Sequence, residues 1–235
     1  MTALRVLHHG AGYVAVDKPA GILVIPGRGG EREPALRDLL SQQLGREVWV
    51  VHRLDRETSG VVLFALEAGA HRCLSMAFEA GQIHKRYLAL VAGRVEGPLD
   101  LAQPLVPARR GRMRVARAGE QGKPAQTRVL PRHAGERASL VEAEPLTGRQ
   151  HQIRVHLAAA GHPLLVDRQY ARPHAVTVAD LGGDTAEVLL VRTPLHALQL
   201  NLPRLDGIAA AEIEAPLPDD MRRAVDLLVG LQRST

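Results

Sequence analysis

The residues from His52 to Gly60 combine side-chain types that could carry out catalysis. They read His-Arg-Leu-Asp-Arg-Glu-Thr-Ser-Gly, so the carboxylate of Asp55 lies between two arginines. Opposite charges within about 4–6 Å keep a carboxylate ionised even when it is partly buried, as a nucleophile or a general base must be. A charged surface turn is the alternative interpretation of the same residue types.

The flanking residues predict a loop between two buried strands. Residues 48–51 and 61–66 are short apolar runs, which are typical of strands. The sequence Thr58-Ser59-Gly60 favours a turn into the second of them. A loop on such a scaffold can present a carboxylate at a cleft.

The rest of the chain predicts an α+β fold. Apolar runs indicate further strands over residues 13–18, 23–27 and 85–91, and helical spacing indicates helices over 34–44, 70–80 and 218–231. Thr147 and Gln150 match a capping box, which predicts another helix that begins at Thr147. Because strands and helices alternate irregularly, we expect a single domain over residues 1–235, built on a mixed, mostly antiparallel sheet with flanking helices.

Composition narrows the class of protein. The chain has 235 residues, of which 46% are hydrophobic, and this suits a globular protein with a sizeable core. A single cysteine, Cys73, excludes an intrachain disulfide and a multi-cysteine zinc site, so a reducing cytoplasm is the expected compartment. The first ten residues lack the features of a signal peptide, and no apolar run reaches the roughly 18 residues of a membrane span.

The charge of the chain favours a polyanionic partner. The net charge is +5, and among the 30 basic residues only Lys18, Lys85 and Lys123 are lysines. The planar guanidinium group of arginine suits phosphates and base edges, so nucleic acid is a natural partner. A coding bias toward arginine would produce the same composition.

One basic run stands out between Arg109 and Arg117. It could form an RNA-contacting hairpin, in which alternation would place Arg110, Arg112 and Arg114 on one face of a strand. A solvated loop is the other interpretation, and the residue types favour neither.

The 11 histidines do not form a recognisable metal motif. His151 and His156 are five residues apart, whereas metal-binding pairs on a helix are four apart. His8 and His9 are adjacent, and on a strand they would point to opposite faces. We therefore expect no metal-dependent chemistry.

The string from His52 to Gly60 resembles the H-R-L-D-x-x-T-S-G signature of the RluA family of RNA pseudouridine synthases. Further segments are similar to the other motifs of that family, in the same order along the chain: residues 16–27, 85–93, 122–127, 146–157 and 195–197. The resemblance implies an isomerase that converts uridine to pseudouridine in ribosomal or transfer RNA, with a central RNA-binding cleft and no cofactor or metal. We expect a monomer. A relative that binds RNA but has lost catalysis is the alternative.

The resemblance also implies roles for individual residues. Asp55 becomes the catalytic carboxylate, Tyr87 the residue that stacks on the target base, and Arg154 the partner of the Asp55 carboxylate. Arg53 would fill the space that a flipped-out base vacates, and Lys85 would bind the substrate. The reaction breaks the N1–C1′ bond and rejoins the uracil through C5 without a change of redox state. The carboxylate could act by proton abstraction at the ribose or by covalent attack on sugar or base.

The chain departs from the family pattern after residue 157. Where the family has P-x-x-G-D-x-x-Y-G, Val166 and Ala171 replace the two glycines. Glycine often marks a backbone conformation with positive φ, so we expect a reshaped turn and a weaker case for Asp167 and Tyr170 as site residues. We also expect no S4-type RNA-binding domain before Tyr13.

Overall fold

The computed structural model describes residues 3–27, 34–171 and 175–232. Within them lie four α-helices: α1 Leu36–Leu44, α2 Ala68–Glu79, α3 Gln152–Ala159 and α4 Asp219–Gln232. The same residues form fourteen strands: β1 Val6–Gly10, β2 Tyr13–Lys18, β3 Trp49–Val50, β4 Ser59–Ala65, β5 His84–Ala92, β6 Leu99–Leu101, β7 Leu105–Pro107, β8 Met113–Val115, β9 Thr127–Ala134, β10 Ala138–Pro145, β11 Val176–Thr177, β12 Val188–Leu190, β13 Leu195–Leu202 and β14 Ala211–Glu214.

The chain divides into two compact units. Unit 1 contains the residues up to Lys85 together with Ala197–Pro216, and unit 2 contains Arg86–His196 together with the residues from Leu217 onward. The expectation of a single domain over residues 1–235 stays a prediction.

Unit 1 is built on a sheet that supports the loop around Asp55. Strands β1, β2, β4 and β13 are neighbours in that order, while β3 pairs with β4 and β14 pairs with β13. All seven residues of β4 are buried, as its apolar run predicts. Val61 and Leu63 of β4 pack in one core cluster with Leu74 and Ala77 of α2, which lie three residues apart on one helix face. The strand that follows the loop is therefore fixed in the core.

Unit 2 has a second set of strands in the order β5, β10, β9 and β6, paired antiparallel. Alternation along β5 directs its side chains to two different core clusters. Ala89 and Val91 pack in the cluster that contains Ile153 of α3. Leu90 packs in the cluster that contains Met221 of α4. Helix α3 is therefore fixed against the sheet by its apolar residues.

The prediction of a strand over residues 23–27 is wrong. The carbonyl groups of Leu23 and Val24 accept hydrogen bonds of 2.8 and 3.1 Å from the backbone N–H groups of Leu36 and Arg37, at the start of α1. The first turn of a helix has N–H groups without partners inside the helix, and this segment supplies carbonyl groups for them instead of joining a sheet.

The predicted capping box is also wrong, because α3 begins at Gln152 and not at Thr147. Its N-cap residue, His151, has a positive φ of 54°, which interrupts helical geometry before that point. The Thr147 hydroxyl and the Arg149 N–H donate to Oε1 of Gln152 at 2.7 and 3.0 Å. Gln152, and not Gln150, therefore fixes the turn that leads into the helix.

The fold class is confirmed as α+β with a mostly antiparallel sheet and flanking helices. Among the described residues, no helix is both long and apolar enough to cross a membrane.

Candidate active site

The loop that carries Asp55 is anchored through its backbone. The carbonyl of Asp55 accepts a hydrogen bond of 3.2 Å from the N–H of Thr58, and the carbonyl of Arg56 accepts one of 2.8 Å from the N–H of Gly21. The ammonium group of the fully buried Lys18 donates to the same Arg56 carbonyl at 2.9 Å. A buried charge needs such partners. These contacts fix the backbone at and directly after Asp55, whose side chain is half-buried.

Gly60 is required by the geometry at the end of this loop. Its φ is +113°, which L side chains rarely adopt, and a Cβ atom here would lie 2.1 Å from the carbonyl oxygen of Ala197. Strand β4 therefore approaches β13 so closely that only glycine fits. This explains in physical terms the glycine that ends the string from His52.

His52 supports the loop and is unsuited to proton transfer. Its Nε2 accepts a hydrogen bond of 2.9 Å from the N–H of Leu63, and its ring stacks on Phe78 with 4.4 Å between centroids. Burial, aided by the positive charge of Lys85, lowers the pKa of His52 to about 3. The imidazole is therefore neutral at ordinary pH and acts as a hydrogen-bond acceptor for β4.

The other two predicted residues of unit 1 differ in exposure. Arg53 is exposed on the loop, whereas Lys85 is half-buried in β5. Burial lowers the pKa of the Lys85 ammonium group. The substrate-binding role of Lys85 that the family resemblance implies stays a prediction.

Tyr87, the residue expected to stack on the base, belongs to unit 2. It lies in β5 opposite Ala143 of β10 and is half-buried. It packs against the edge of the core cluster that contains Ile153. Its ring position is therefore fixed by the sheet and by the packing of α3.

Arg154 is almost completely buried in α3 and is held by Asp167. Its Nε donates to Oδ2 of Asp167 at 2.7 Å and its Nη2 donates to Oδ1 at 2.8 Å, while Nη2 also donates to Oε1 of Gln169 at 3.0 Å. This two-point geometry fixes the plane of the guanidinium group. Whether Arg154 also pairs with Asp55, as the family resemblance implies, stays a prediction.

The turn after residue 166 is well formed in spite of the two missing glycines. The Oδ1 of Asp167 accepts the N–H groups of Gln169 and Tyr170 at 2.9 and 3.2 Å, and the Asp167 carbonyl accepts the N–H of Ala171 at 2.9 Å. Among the described non-glycine residues, positive φ angles occur only at Arg110 and His151. Val166 and Ala171 therefore need no glycine-like conformation, and Asp167 holds both this turn and the guanidinium group of Arg154.

Tyr170, to which the sequence reasoning gave little weight, contacts several segments of unit 2. Its hydroxyl accepts the backbone N–H of Met113 at 2.8 Å and is hydrogen-bonded to Nδ1 of His151 at 2.7 Å. The guanidinium carbons of Arg154 and Arg112 lie over its ring, 5.0 and 5.5 Å from the centroid. Tyr170 matches the tyrosine of the family pattern P-x-x-G-D-x-x-Y-G, and this match was the only sequence feature that pointed to it. Its hydrogen-bond partners lie far away in the sequence.

The basic run forms a hairpin, and whether it contacts RNA or is only solvated stays a prediction. Strands β7 and β8 pair antiparallel, and a short 3-10 turn over Arg109–Gly111 joins them. The expected alternation of arginines on one strand face is wrong, because Arg110 lies in the turn with a φ of 57° and Arg112 precedes β8, which leaves only Arg114 in the strand. Arg114 pairs with Glu120. Residues 108–110 and 112–114, together with Tyr170, line a groove of about 540 Å³.

The described part of the chain contains no group of three His, Cys, Asp or Glu side chains placed to hold a metal ion. Independence from metals stays a prediction.

Comparisons with known proteins give the family of this fold and site. Residues 12–159 match the family described as RNA pseudouridylate synthase. The ribosomal large subunit pseudouridine synthase D of Nitrosomonas europaea is 36% identical over 99% of this chain, which spans 67% of that protein. The dual-specificity RNA pseudouridine synthase RluA of Escherichia coli K12 is 36% identical over 82% of this chain and 89% of its own length.

A solved structure agrees with these sequence matches. The human protein titled RNA Pseudouridylate Synthase Domain Containing 4 shares 25% identity and a TM-score of 0.77, over 96% of this chain and 93% of that one. The chain belongs to the RNA pseudouridylate synthase family, and the resemblance to RluA is confirmed. It is accordingly an RNA pseudouridine synthase, an isomerase.

Proposed function

We propose that this protein isomerises uridine in ribosomal or transfer RNA with Asp55 as its catalytic carboxylate. The observation that carries the assignment is the anchoring of the Asp55 loop by Lys18 and Gly21. Such anchoring places one carboxylate reproducibly, as a reaction at a single sugar requires. The names of the relatives support the choice of RNA, since one refers to the large ribosomal subunit and another to dual specificity.

The chemistry needs one carboxylate and no external reactant. The N1–C1′ bond breaks, the uracil turns, and a new bond forms between C5 and C1′. The proton on C5 then leaves and N1 gains a proton, so atoms and electrons balance without redox chemistry. Asp55 acts by removing a proton at the ribose or by forming a transient bond to sugar or base.

Arg154 is the cationic partner of Asp55 in this proposal. Its charge would keep the carboxylate ionised and oriented when water is excluded by the RNA. The support for the role is the rigid geometry of Arg154, which Asp167 holds through two hydrogen bonds of 2.7 and 2.8 Å. Asp167 would thereby influence the reaction indirectly, by orienting Arg154.

The remaining predicted residues would bind the flipped nucleotide. Tyr87 presents an aromatic ring on which the uracil can stack, with a contribution of about 1–3 kcal/mol. Arg53, which is exposed, would fill the gap left in the RNA stack. Lys85 would contact the RNA close to the catalytic loop.

The experiment uses in vitro transcripts of large-subunit ribosomal RNA and of transfer RNA, which contain no modified bases. The protein should form pseudouridine in at least one of them, and excess chelator should leave the rate unchanged. Tight binding to RNA without conversion of any transcript would identify a relative that has lost catalysis. A loss of turnover on chelation that added metal restores would overturn the metal-free mechanism.

A further inference from the structure

Three segments of unit 2 meet at the side chain of Tyr170. One is strand β8, whose first residue, Met113, donates its backbone N–H to the tyrosine hydroxyl at 2.8 Å. Another is the entry to α3, where Nδ1 of His151 is hydrogen-bonded to the same hydroxyl at 2.7 Å. The third is the turn that follows Asp167 and contains Tyr170 itself. One hydroxyl group therefore ties the arginine-rich hairpin to the start of the helix that carries Arg154.

The ring of Tyr170 makes a different set of contacts. The guanidinium carbon of Arg154 lies over it at 5.0 Å from the centroid, and that of Arg112 at 5.5 Å. The ring also packs against a small apolar cluster that contains Val155 of α3. A guanidinium group over an aromatic face is attracted by the electrons of the ring. The ring thus gives the guanidinium group of Arg154 a contact in addition to its ion pair with Asp167.

We propose that Tyr170 is a positioning residue with two separable functions. Its hydroxyl holds the hairpin of β7 and β8 where the exposed arginines of the turn can meet RNA phosphates, and its ring holds the guanidinium of Arg154 for the reaction. The inference rests on the proposed function. It differs from a purely structural role because loss of the hydroxyl and loss of the ring affect different kinetic constants.

The geometry of the hairpin gives the hydroxyl its importance. Arg110 at the tip has a φ of 57°, a conformation that costs an arginine free energy and that the surrounding contacts must maintain. The bond from Met113 is a backbone tie between the hairpin and the Asp167 turn, beside the contact of Arg112 with the ring. Without it the tip can relax, and the guanidinium groups at 109 and 110 lose their fixed spacing.

Tyr170→Phe tests the hydroxyl. For whichever transcript the wild-type protein modifies, the variant should raise KM about two- to tenfold, the range that one or two net hydrogen bonds provide. The slope of log affinity against log salt should flatten by roughly 0.7–0.9 for each phosphate contact that is lost. The kcat should stay within about twofold of the wild-type value because the ring remains over Arg154.

Tyr170→Leu tests the ring. It should show the same rise in KM and, in addition, a fall in kcat of roughly tenfold as the cation–π contact disappears. Tyr13→Phe is the matched control, since it removes a hydroxyl from a tyrosine buried in the core of unit 1. Its KM and kcat should equal those of the wild type. Thermal unfolding of each variant separates these effects from loss of fold, and Tyr170→Phe still tests the proposal if the leucine variant does not fold.

The outcomes distinguish this inference from the proposed function. Wild-type KM and salt slope in Tyr170→Phe would overturn the role of the hydroxyl. An equal fall of kcat in both variants, or an unchanged kcat in Tyr170→Leu, would overturn the separation into two functions. No pseudouridine from the wild-type protein on any transcript would instead overturn the proposed function, and RNA affinity with its salt slope would still test the hydroxyl.

Discussion

Arg154 and Asp167 form a buried ion pair in which two nitrogens of one meet two oxygens of the other, at 2.7 and 2.8 Å. Both side chains are almost completely removed from water. In this setting each charge depends on the other, because neither has enough water to replace its partner. The orientation of the proposed catalytic arginine is therefore set by an aspartate 13 residues further along the chain.

Asp167→Asn should destabilise the protein markedly. It removes the negative charge that holds Arg154 through two hydrogen bonds, and breaking a buried ion pair in this way typically costs about 3–5 kcal/mol. Urea unfolding at neutral pH measures the loss. The control is Asp38→Asn, which removes the same charge from the exposed pair of Arg37 and Asp38 and should cost under about 1 kcal/mol.

The contribution of Asp167 should also depend on pH. Burial raises the pKa of Asp167, but the hydrogen bonds and charge of Arg154 and two backbone N–H groups outweigh it, so the net pKa lies below the ordinary 3.8. A carboxyl group with a lowered folded-state pKa stabilises the fold above its unfolded value and loses that contribution as the pH falls through the folded value. The difference between wild type and Asp167→Asn should be full at neutral pH and shrink below about pH 4. A difference that grows in acid would contradict this account.

Gly60→Ala should destabilise unit 1. The new methyl group would lie 2.1 Å from the carbonyl oxygen of Ala197, on a backbone with a φ of +113°. Gly45→Ala is the control, because its φ is +64° but open space surrounds the position of its Cβ. Gly45→Ala should lower the free energy of unfolding by about 1 kcal/mol, for the backbone conformation alone. Gly60→Ala should lower it clearly more in the same unfolding experiment. Equal costs would show that β4 and β13 can move apart easily.

Neutralising the arginines at the tip of the hairpin should weaken RNA binding and make it less dependent on salt. Arg109→Gln with Arg110→Gln should flatten the slope of log affinity against log salt by up to two contacts, at roughly 0.7–0.9 each. Turnover at saturating RNA should hold. The control is Arg222→Gln with Arg223→Gln on α4, whose charges already pair with Asp219 and Glu187. An unchanged slope in the hairpin variant would mean that the run is a solvated turn.

Tyr87 offers a test of base stacking. Tyr87→Phe keeps the ring and should retain RNA affinity, whereas Tyr87→Ala should lose about 1–3 kcal/mol of binding free energy. Titration with a transcript that the wild-type protein modifies provides the affinities, and turnover is measured in parallel. A phenylalanine variant that binds but does not turn over would assign the hydroxyl a part in proton transfer. Near-normal behaviour of both variants would remove Tyr87 from the site.

Much of the fold follows from local sequence patterns. Apolar runs predict β2, β4 and β5, and the spacing of leucines predicts α1 with Gly45 at its end, as observed. These predictions succeed because burial on the sheet or on a helix face is decided by neighbouring residues. The strand prediction for the segment around Leu23 fails, although its side chains are apolar. Its backbone carbonyl groups accept hydrogen bonds from the start of a helix and do not pair with a strand.

The site could be predicted only in part. Asp55 is marked by its position between two arginines and by a specific string of neighbours. The tie between Tyr170 and Met113 joins residues 57 apart, and no local pattern encodes such a distance. The prediction of a capping box at Thr147 fails for a related reason. Thr147 bonds to Gln152 and not to a glutamine three residues away, and Gln152 is also held by the carbonyl of Gln126, just before β9. Contacts that depend on the packing of distant segments become visible only in the structure.

The central claim is that Asp55 is the catalytic carboxylate, and a tritium-release assay of Asp55→Asn tests it most directly. The RNA carries tritium at C5 of uridine, and C5 must lose its hydrogen when it bonds to C1′. The variant should fold, bind RNA like the wild type and release no tritium above the blank. Glu57→Gln, which neutralises a half-buried carboxylate in the same loop, should release it at close to the wild-type rate. Residual release of even ~1% by a clean preparation of Asp55→Asn would contradict the account, since loss of a catalytic carboxylate costs far more than a hundredfold.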